Sequence, residues 1–351
     1  MKYSENIEKV FWSRLRDREC LFSFWTHLPH VDRDAEKLAE ATVEFQRTFD
    51  LDFVKTMPNC LYAIEDYGAE IELSKVAEGE AMQVSSTPFQ VVDDWAKLLP
   101  ANIDSGALAR ELRSLSMIRK NLRDVPILFT MFSPITIASK LSQGRIFKQI
   151  ANPDNHEALH RALGIIANDL NILSGAALER GASGVFFENH DTSRSKLGYD
   201  DFCEFVNAYD IEALAGARNG NFNVLHLHGR SARFYELSHY PVDAISWHSS
   251  EICPSTNAML SSMKKCLVGG INRWSILEND LDAIRYQIVA LMSAGDEMGN
   301  IIVTPECVIH QGFDTSVLHF IRDQIHSHQG SQPRKAMRHP LDRKIGPLGR
   351  M

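Results

Sequence analysis

Two histidines alternate within one predicted strand, and a cysteine ends another. Residues 224–229 read VLHLHG, so His226 and His228 stand two positions apart. Side chains at positions i and i+2 of a strand point to the same face, which brings both imidazoles together. With Cys307 they make a set of two imidazoles and a thiolate, which suits zinc with one position left open. The pattern predicts a metal site; the alternative is that the histidines hydrogen-bond one another and a substrate without metal.

Further ionisable side chains stand at the ends of other predicted strands. Glu188, His248 and His27 are the three for which we predict catalytic roles. Glu188 could act as a general base, as a further metal ligand or as the partner that fixes a histidine tautomer. For His248 and His27 the alternative is a hydrogen bond to a nearby carbonyl. His190 is interpreted as part of the loop surface.

A second group of polar residues is predicted to bind substrate. The group consists of Lys55, Asn59, Asn272 and Arg273. Lys55 lies within an apolar strand, where an ammonium needs a partner, so we predict that it anchors an anion. Asn272 and Arg273 follow Gly269 and Gly270, a pair that allows either a close approach of the backbone to a ligand or tight packing.

Eight short runs of β-branched and aromatic residues alternate with amphipathic helical patterns. The runs are residues 20–26, 51–57, 125–132, 184–188, 222–228, 242–248, 266–272 and 300–307. Alternating strands and helices pair in parallel by right-handed crossovers, and eight such units close most simply into a barrel. A doubly wound sheet is the alternative, but the glycine-rich nucleotide motifs that favour it are missing. The sequence predicts an α/β fold, a single (β/α)8 TIM barrel with a long excursion after strand two, and catalytic groups at the C-terminal strand ends.

Composition and charge set the broad class and the domain limits. The chain has 351 residues, of which 44% are hydrophobic, and a net charge of −8 from 45 acidic and 37 basic residues. This charge repels nucleic acid and anionic lipid, so neither is an expected partner. We predict a helical lead-in over 1–19, the barrel over 20–327 and a flexible basic tail over 328–351. Six scattered cysteines and the absence of an apolar signal segment predict reduced thiols and a cytoplasmic location.

Several segments occur in a recognisable order and spacing. They are residues 51–57 with EDYG at 65–68, residues 125–127 followed by SPITIAS at 133–139, residues 224–229, GGIN at 269–272 and the Cys307 segment. In this order they resemble the uroporphyrinogen decarboxylase (URO-D) superfamily over roughly residues 20–327. The resemblance implies a (β/α)8 barrel. It also implies one of two activities: decarboxylation of the acetate arms of a tetrapyrrole without a cofactor, or zinc-dependent methyl transfer between a corrinoid and a thiol.

The resemblance is closer to the methyltransferases than to the decarboxylases. The arginine-rich segment of the decarboxylases corresponds to residues 24–30, FWTHLPH, which contain no arginine. Their aspartate after strand two falls near Pro58 or Asn59, and their tyrosine falls on Lys140. The methyltransferases have His-x-Cys on strand five and a second cysteine on strand eight, and His226 and Cys307 match two of these ligands. His228 replaces the first cysteine, which leaves a bound metal more Lewis acidic, and His248 stands where a carboxylate is more usual.

We therefore predict an enzyme of this superfamily that transfers a methyl or another one-carbon or alkyl group to a thiol or small anionic substrate. The resemblance implies zinc as the metal, a corrinoid protein as the donor and partner, and a homodimer, since relatives are often dimers. Two alternatives stay open. One is decarboxylation of uroporphyrinogen or a related carboxylic acid without a cofactor, and the other is a non-enzymatic barrel that binds a corrinoid or tetrapyrrole.

Overall fold

One parallel sheet dominates the structure, a computed structural model that describes residues 7–17, 19–72, 83–229, 232–260, 263–298 and 300–331. The strands in these residues are β1 (Leu21–Phe22), β2 (Val54–Lys55), β3 (Glu70–Glu72), β4 (Gln83–Ser86), β5 (Ile127–Phe132), β6 (Gly184–Asn189), β7 (Val224–Leu227), β8 (Ala244–Trp247), β9 (Cys266–Ile271) and β10 (Ile301–Pro305). Eight of them form the parallel sheet in the order β1-β10-β9-β8-β7-β6-β5-β2, and β3 and β4 form a separate antiparallel hairpin. Each of the eight falls on a predicted strand, which confirms the (β/α)8 barrel.

The seam between β1 and β2 closes with the help of a side chain. The backbone N–H of Asp52 donates to the carbonyl of Phe22 over 3.1 Å, and the N–H of Phe22 donates to the Asp52 carboxylate over 2.9 Å. The Ser23 hydroxyl adds a bond of 2.7 Å to the carbonyl of Phe53. At the seam between β1 and β2, the Asp52 carboxylate thus accepts a hydrogen bond that a backbone carbonyl accepts in a regular sheet.

Helices surround the sheet. They are α1 (Ile7–Arg16), α2 (Ala35–Phe49), α3 (Tyr62–Glu65), α4 (Gly106–Asn121), α5 (Pro134–Leu141), α6 (Ile146–Ile150), α7 (His156–Glu179), α8 (Tyr199–Phe202), α9 (Ala208–Ala215), α10 (Phe234–Leu237), α11 (Thr256–Leu260), α12 (Arg273–Leu277), α13 (Leu281–Met298) and α14 (Thr315–Ser331). The longest, α7, buries the stripe that includes Leu159, Leu163 and Ile166. It stops before Gly181, whose φ of 98° lies in the left-handed region that ends helices. None of the helices in the described residues is both long and apolar enough to span a membrane.

Helix α1 covers the N-terminal end of the barrel. Phe11 and Leu15 join the cluster of buried side chains inside the barrel, which includes Phe53 and Phe222. The ring of Phe11 lies 4.8 Å from that of Phe222 and 6.2 Å from that of Phe53, measured between centroids. Aromatic pairs at these distances are attractive. The opposite end, where the strands finish, is left for the polar side chains.

The excursion after β2 contains more regular structure than the sequence indicates. The excursion includes a 3-10 helix, Val92–Lys97. It is followed by α4, which packs on α2 and completes the second strand-helix unit. Asp66 supports the start of α4, because its carboxylate accepts the N–H groups of Ala107 and Leu108, each over 2.8 Å. Residues 73–82 of the excursion lie outside the described residues, as do residues 332–351 of the predicted basic tail.

Asp52 is expected to contribute measurably to stability. In Asp52→Ala the Phe22 N–H loses its acceptor, and Arg14 loses a partner held at 2.6 Å. We expect the free energy of unfolding in urea to fall by about 1–3 kcal/mol. The matched control is Glu19→Ala, which removes only the half-exposed ion pair between Glu19 and Arg14 and should cost less than about 1 kcal/mol. Equal losses in the two variants would contradict the role of Asp52 in the seam.

Candidate metal centre and cavity at the barrel mouth

The strand register places three polar side chains side by side at the barrel mouth. Glu188 of β6 pairs with His226 of β7, and His226 pairs with Ser246 of β8. Because neighbouring parallel strands align their side chains at the same level, these groups face one another across the ladder. Nδ1 of His226 lies 3.1 Å from the Ser246 hydroxyl. This contact orients the imidazole and leaves Nε2 for another partner.

Three buried side chains bring possible metal ligands together. His226, His248 and Cys307 each offer one donor atom, and these atoms all lie within 4.8 Å of one another. The residues are 2%, 1% and 4% exposed, respectively. Neither ring nitrogen of His248 has a hydrogen-bond partner, although Nδ1 lies 3.6 Å from a Glu251 oxygen. A buried imidazole is costly without a partner, and two imidazoles with a thiolate are a donor set that zinc accepts, so the residues fit this metal.

The set that the structure assembles differs in one member from the predicted set. His228 is absent from it, and His248 takes its place. His228 nonetheless lies on the same side as His226, as the alternation predicts, with its ring centroid 6.2 Å from that of His226 and 4.9 Å from that of His248. The backbone N–H of His228 still donates to the carbonyl of Asn189, and its ring stacks on His190 at 4.3 Å between centroids. His228 therefore lines the cavity beside the three donor residues.

A buried ion pair lies beside the donor residues at the mouth. Nζ of Lys55 lies 2.9 Å from one Glu188 oxygen, and Nε2 of His190 lies 2.8 Å from the other. Burial alone would raise the pKa of Glu188, but the Lys55 ammonium and the His190 hydrogen bond outweigh it and hold this pKa well below its usual range. The carboxylate is therefore charged, with Lys55 as its counter-ion. The anion that Lys55 is predicted to bind is thus the side chain of Glu188 and belongs to the protein itself.

His190 lies at the cavity and not on the loop surface that the sequence predicts. Its side chain is only 19% exposed and lines the same cavity as Glu188. The missed signal was its position two residues after Glu188, which is the spacing that relates His226 to His228. Because its Nε2 faces the carboxylate, a neutral His190 keeps Nδ1 as an acceptor, and Glu188 would stabilise the ring once it took up a proton.

Burial keeps the histidines of the mouth uncharged. It lowers the pKa of His27 to about 4, helped by Lys55, and that of His248 to about 4, helped by Arg273. For His228 burial and the neighbouring His190 lower the pKa to about 2. Neutral imidazoles are the form that binds metal. Burial also raises the pKa of the Cys307 thiol to about 11, although Arg273 opposes this.

A cavity of about 120 Å³ opens beside these groups. Its lining includes His27, Lys55, Glu188, His190, His228, Arg273 and Cys307. Nε of Arg273 is buried without a hydrogen-bond partner, while Nη2 lies 3.5 Å from Glu251. A larger groove of about 510 Å³ lies between α2 and α4 on the outside of the barrel, away from the histidines.

Two of the predicted substrate contacts instead hold turns. Oδ1 of Asn59 accepts the N–H of Leu61 over 2.9 Å. Asn272 caps α12 through a bond of 2.7 Å from the N–H of Trp274, and its Nδ2 donates to Ser250 over 3.0 Å. Neither asparagine is among the residues that line the cavity. Of the four predicted substrate contacts, Lys55 and Arg273 are the ones that the structure places there.

Comparisons with known proteins give a family and a fold. The sequence model of the family described as Uroporphyrinogen decarboxylase (URO-D) matches residues 21–328. A methyltransferase from Methanosarcina mazei has a similar structure, with a TM-score of 0.79, 18% identity, and coverage of 92% of this chain and 99% of that chain. A protein described as a vitamin-B12-independent methionine synthase from Listeria monocytogenes gives a TM-score of 0.54 at 12% identity, covering 85% of this chain and 87% of that chain. At these identities the likeness concerns the fold. Among curated proteins, none matches this sequence.

The ion pair between Lys55 and Glu188 should show strong coupling. Lys55→Met leaves a buried carboxylate unpaired and should lower the free energy of unfolding by about 3–5 kcal/mol at pH 7, and Glu188→Gln should have a similar cost. The double variant should lose much less than the sum, as measured by urea unfolding. As a control, Lys97→Met removes an exposed ion pair with Asp94 and should cost less than about 1 kcal/mol. Additive losses at Lys55 and Glu188 would show that the two charges do not depend on each other.

His27 should make the protein less stable in acid. Its pKa of about 4 in the folded chain lies below the value of about 6.5 expected for an unfolded histidine. The contribution of the neutral His27 ring to the free energy of unfolding is therefore complete above pH 6.5, and it is lost as the pH falls toward 4. Between these pH values the wild type should lose about 3 kcal/mol more than His27→Gln, measured by urea unfolding at each pH. Parallel curves for the two proteins would mean that His27 is protonated as easily when folded as when unfolded.

Proposed function

Because the chain belongs to the uroporphyrinogen decarboxylase family, we propose that it is a barrel enzyme that transfers a methyl or other one-carbon or alkyl group to a small thiol that carries an anionic group. The observation that carries this proposal is the convergence of His226, His248 and Cys307 at the barrel mouth. These residues would hold zinc. When bound, zinc supplies a Lewis acid that lowers the pKa of a thiol and so favours the nucleophilic thiolate at neutral pH.

The size of the cavity supports a small substrate. Pockets that bury drug-sized ligands usually measure about 300–1,000 Å³, whereas this cavity measures about 120 Å³. A tetrapyrrole exceeds that volume, so the proposal favours a small thiol over uroporphyrinogen. A corrinoid carried by a partner protein is the proposed donor, and by the same argument it would approach the open mouth from outside.

The charged residues of the cavity suggest how the substrate is held. Lys55 is paired with Glu188 at 2.9 Å, whereas Arg273 meets Glu251 through Nη2 at 3.5 Å and keeps a buried Nε without a hydrogen-bond partner. Nε of Arg273 would therefore donate to the anionic group of the substrate. His27 lines the same cavity as a neutral ring and can donate or accept one hydrogen bond. The substrate would thus be held by its charged end beside Arg273, with its reactive end toward Cys307.

His190 and Glu188 are the proposed route for the proton that the thiol loses. Nδ1 of His190 would accept this proton, and the carboxylate of Glu188, 2.8 Å from Nε2, would stabilise the resulting imidazolium. His248, the other predicted proton carrier, is assigned to the metal set in this proposal. The released proton would then leave with the product to solvent.

Metal analysis distinguishes the assembled set from the predicted one. His226→Ala, His248→Ala and Cys307→Ala should each lose one equivalent of zinc per chain relative to the wild type, because a three-residue site does not survive loss of one ligand. The matched control is His228→Ala, which removes a neighbouring imidazole of the cavity and should keep the metal. The measurement is elemental analysis of dialysed, tag-free proteins.

Activity assays test the reaction itself. With methylcobalamin and a small thiol sulfonate or thiol carboxylate, the cobalt–carbon bond should break and the wild type should form the methyl thioether, detected by mass spectrometry, with cob(I)alamin as the other product. Cys307→Ala should form about a hundredfold less thioether. Release of carbon dioxide from uroporphyrinogen or a smaller acid, at an equal rate in Cys307→Ala, would replace this proposal by decarboxylation. Tight binding of a corrinoid without turnover of any of these compounds would replace it by a carrier function.

A further inference from the structure

A second group of possible metal ligands lies on the outside of the barrel. His156 and His160 come from the first turns of α7, and Glu204 comes from a π-helical segment, Cys203–Asn207, between α8 and α9. One ligand atom from each lies within 4.8 Å of the others. We propose that these three residues bind a divalent cation of the zinc class, independently of the barrel mouth.

The sequence spacing puts both imidazoles on one face of α7. Residues 156–160 read HEALH, so the histidines stand four positions apart, about one helical turn. This is the H-E-x-x-H spacing with which a helix presents two imidazoles to one metal ion. The third residue comes from a π-helical turn, a deformation that often occurs at functional sites and that here carries Glu204 toward the helix.

Both ring nitrogens of His156 face oxygen atoms. Its Nε2 lies 2.9 Å from the carbonyl of Ile150, which can only accept. Its Nδ1 lies 3.4 Å from a Glu204 oxygen, which also only accepts when ionised. An imidazole that donates from Nε2 to Ile150 can direct the lone pair of Nδ1 toward the Glu204 carboxylate. A cation between Nδ1 and the carboxylate would bind both groups.

The distances in the group suit a metal ion. Nε2 of His160 lies 2.9 Å from the same Glu204 oxygen, and Nδ1 of His156 lies 3.4 Å from it. In a tetrahedral site with zinc-nitrogen distances near 2.0–2.1 Å, neighbouring ligand atoms are separated by about 3.3 Å. The two values lie on either side of this length. Three protein ligands would leave the fourth position to water.

The surroundings hold both rings in place. Phe205, which is fully buried, stacks on His160 at 4.6 Å between centroids and meets His156 edge-on at 4.7 Å. The hydroxyl of Tyr209 lies 2.7 Å from Nδ1 of His160. With the carbonyl of Ile150 on His156, each ring has a contact on the nitrogen that faces away from Glu204. Ligands held in this way bind metal without first losing side-chain freedom.

Binding at this place would join two parts of the fold. His156 and His160 belong to the start of α7, whereas Glu204 belongs to the turn that connects α8 to α9. A metal ion there would act as a cross-link between these neighbouring segments. It would stabilise the folded chain by an amount that grows with the logarithm of the free metal concentration relative to its Kd, without any requirement for turnover at the mouth.

Titration calorimetry in a background without the mouth ligands tests the inference. The protein is the His226→Ala/Cys307→Ala double variant, titrated with ZnCl2 at pH 7.5. We expect about one equivalent to bind and the thermal midpoint to rise with zinc. Adding His160→Ala should abolish both effects, and adding Glu204→Gln should weaken binding at least about tenfold. Adding His239→Ala, which removes an exposed histidine outside the group, should change neither.

If the double variant does not fold, elemental analysis of the His160→Ala single variant serves the same purpose, with one equivalent less zinc than the wild type as the expected result. Absence of zinc binding by the folded double variant would overturn the inference. So would binding that survives His160→Ala, because the metal would then be held elsewhere. These outcomes do not depend on zinc at the mouth, which is tested by the separate variants of His248 and His228.

Discussion

The ion pair between Lys55 and Glu188 sets the charge of the barrel mouth, and the other side chains of the site depend on it. The two charges neutralise each other within 2.9 Å, so the imidazoles around them stand in a buried region with little net charge. Under those conditions burial decides their state, and they remain neutral. Without Lys55, the Glu188 carboxylate would favour a protonated ring on His190 and would raise the proton affinity of His226 as well. The neutral state of the imidazoles at the mouth thus depends on Lys55 of β2.

Much of the fold could be predicted, because the pattern of a strand followed by a helix recurs eight times along the chain. The choice among neighbouring imidazoles could not. The period of two puts His228 on the same side as His226, but it does not determine which donor atoms converge, and His248 is the imidazole that joins His226 and Cys307. At His190 the chain turns back toward the cavity after β6, whereas the sequence predicts loop surface. Which side of a strand end a residue occupies depends on loop contacts that no periodicity encodes.

The helix within the excursion was also missed, for a related reason. Helix α4 buries Glu111 and Arg119 among its apolar residues, and these charges interrupt the stripe by which amphipathic helices are identified. Glu111 pairs with the preceding residue of the same helix, Arg110, and Arg119 donates to the carbonyls of Leu122 at the end of α4 and of Gly181 after α7. A buried charged residue finds its partners only when the chain is folded. In the sequence it therefore cannot be distinguished from an exposed charged residue.

Helix α1 has a kinetic consequence. With Phe11 packed against Phe53 and Phe222 at the N-terminal end, ligands exchange with the cavity by way of the C-terminal mouth. Two reactants that meet in the cavity must enter through the same opening. The reactant that binds second therefore lies between the first one and solvent. Such an arrangement favours a compulsory order of binding and release, and it makes departure of the outer molecule a step that can limit turnover even when the chemistry beneath it is fast.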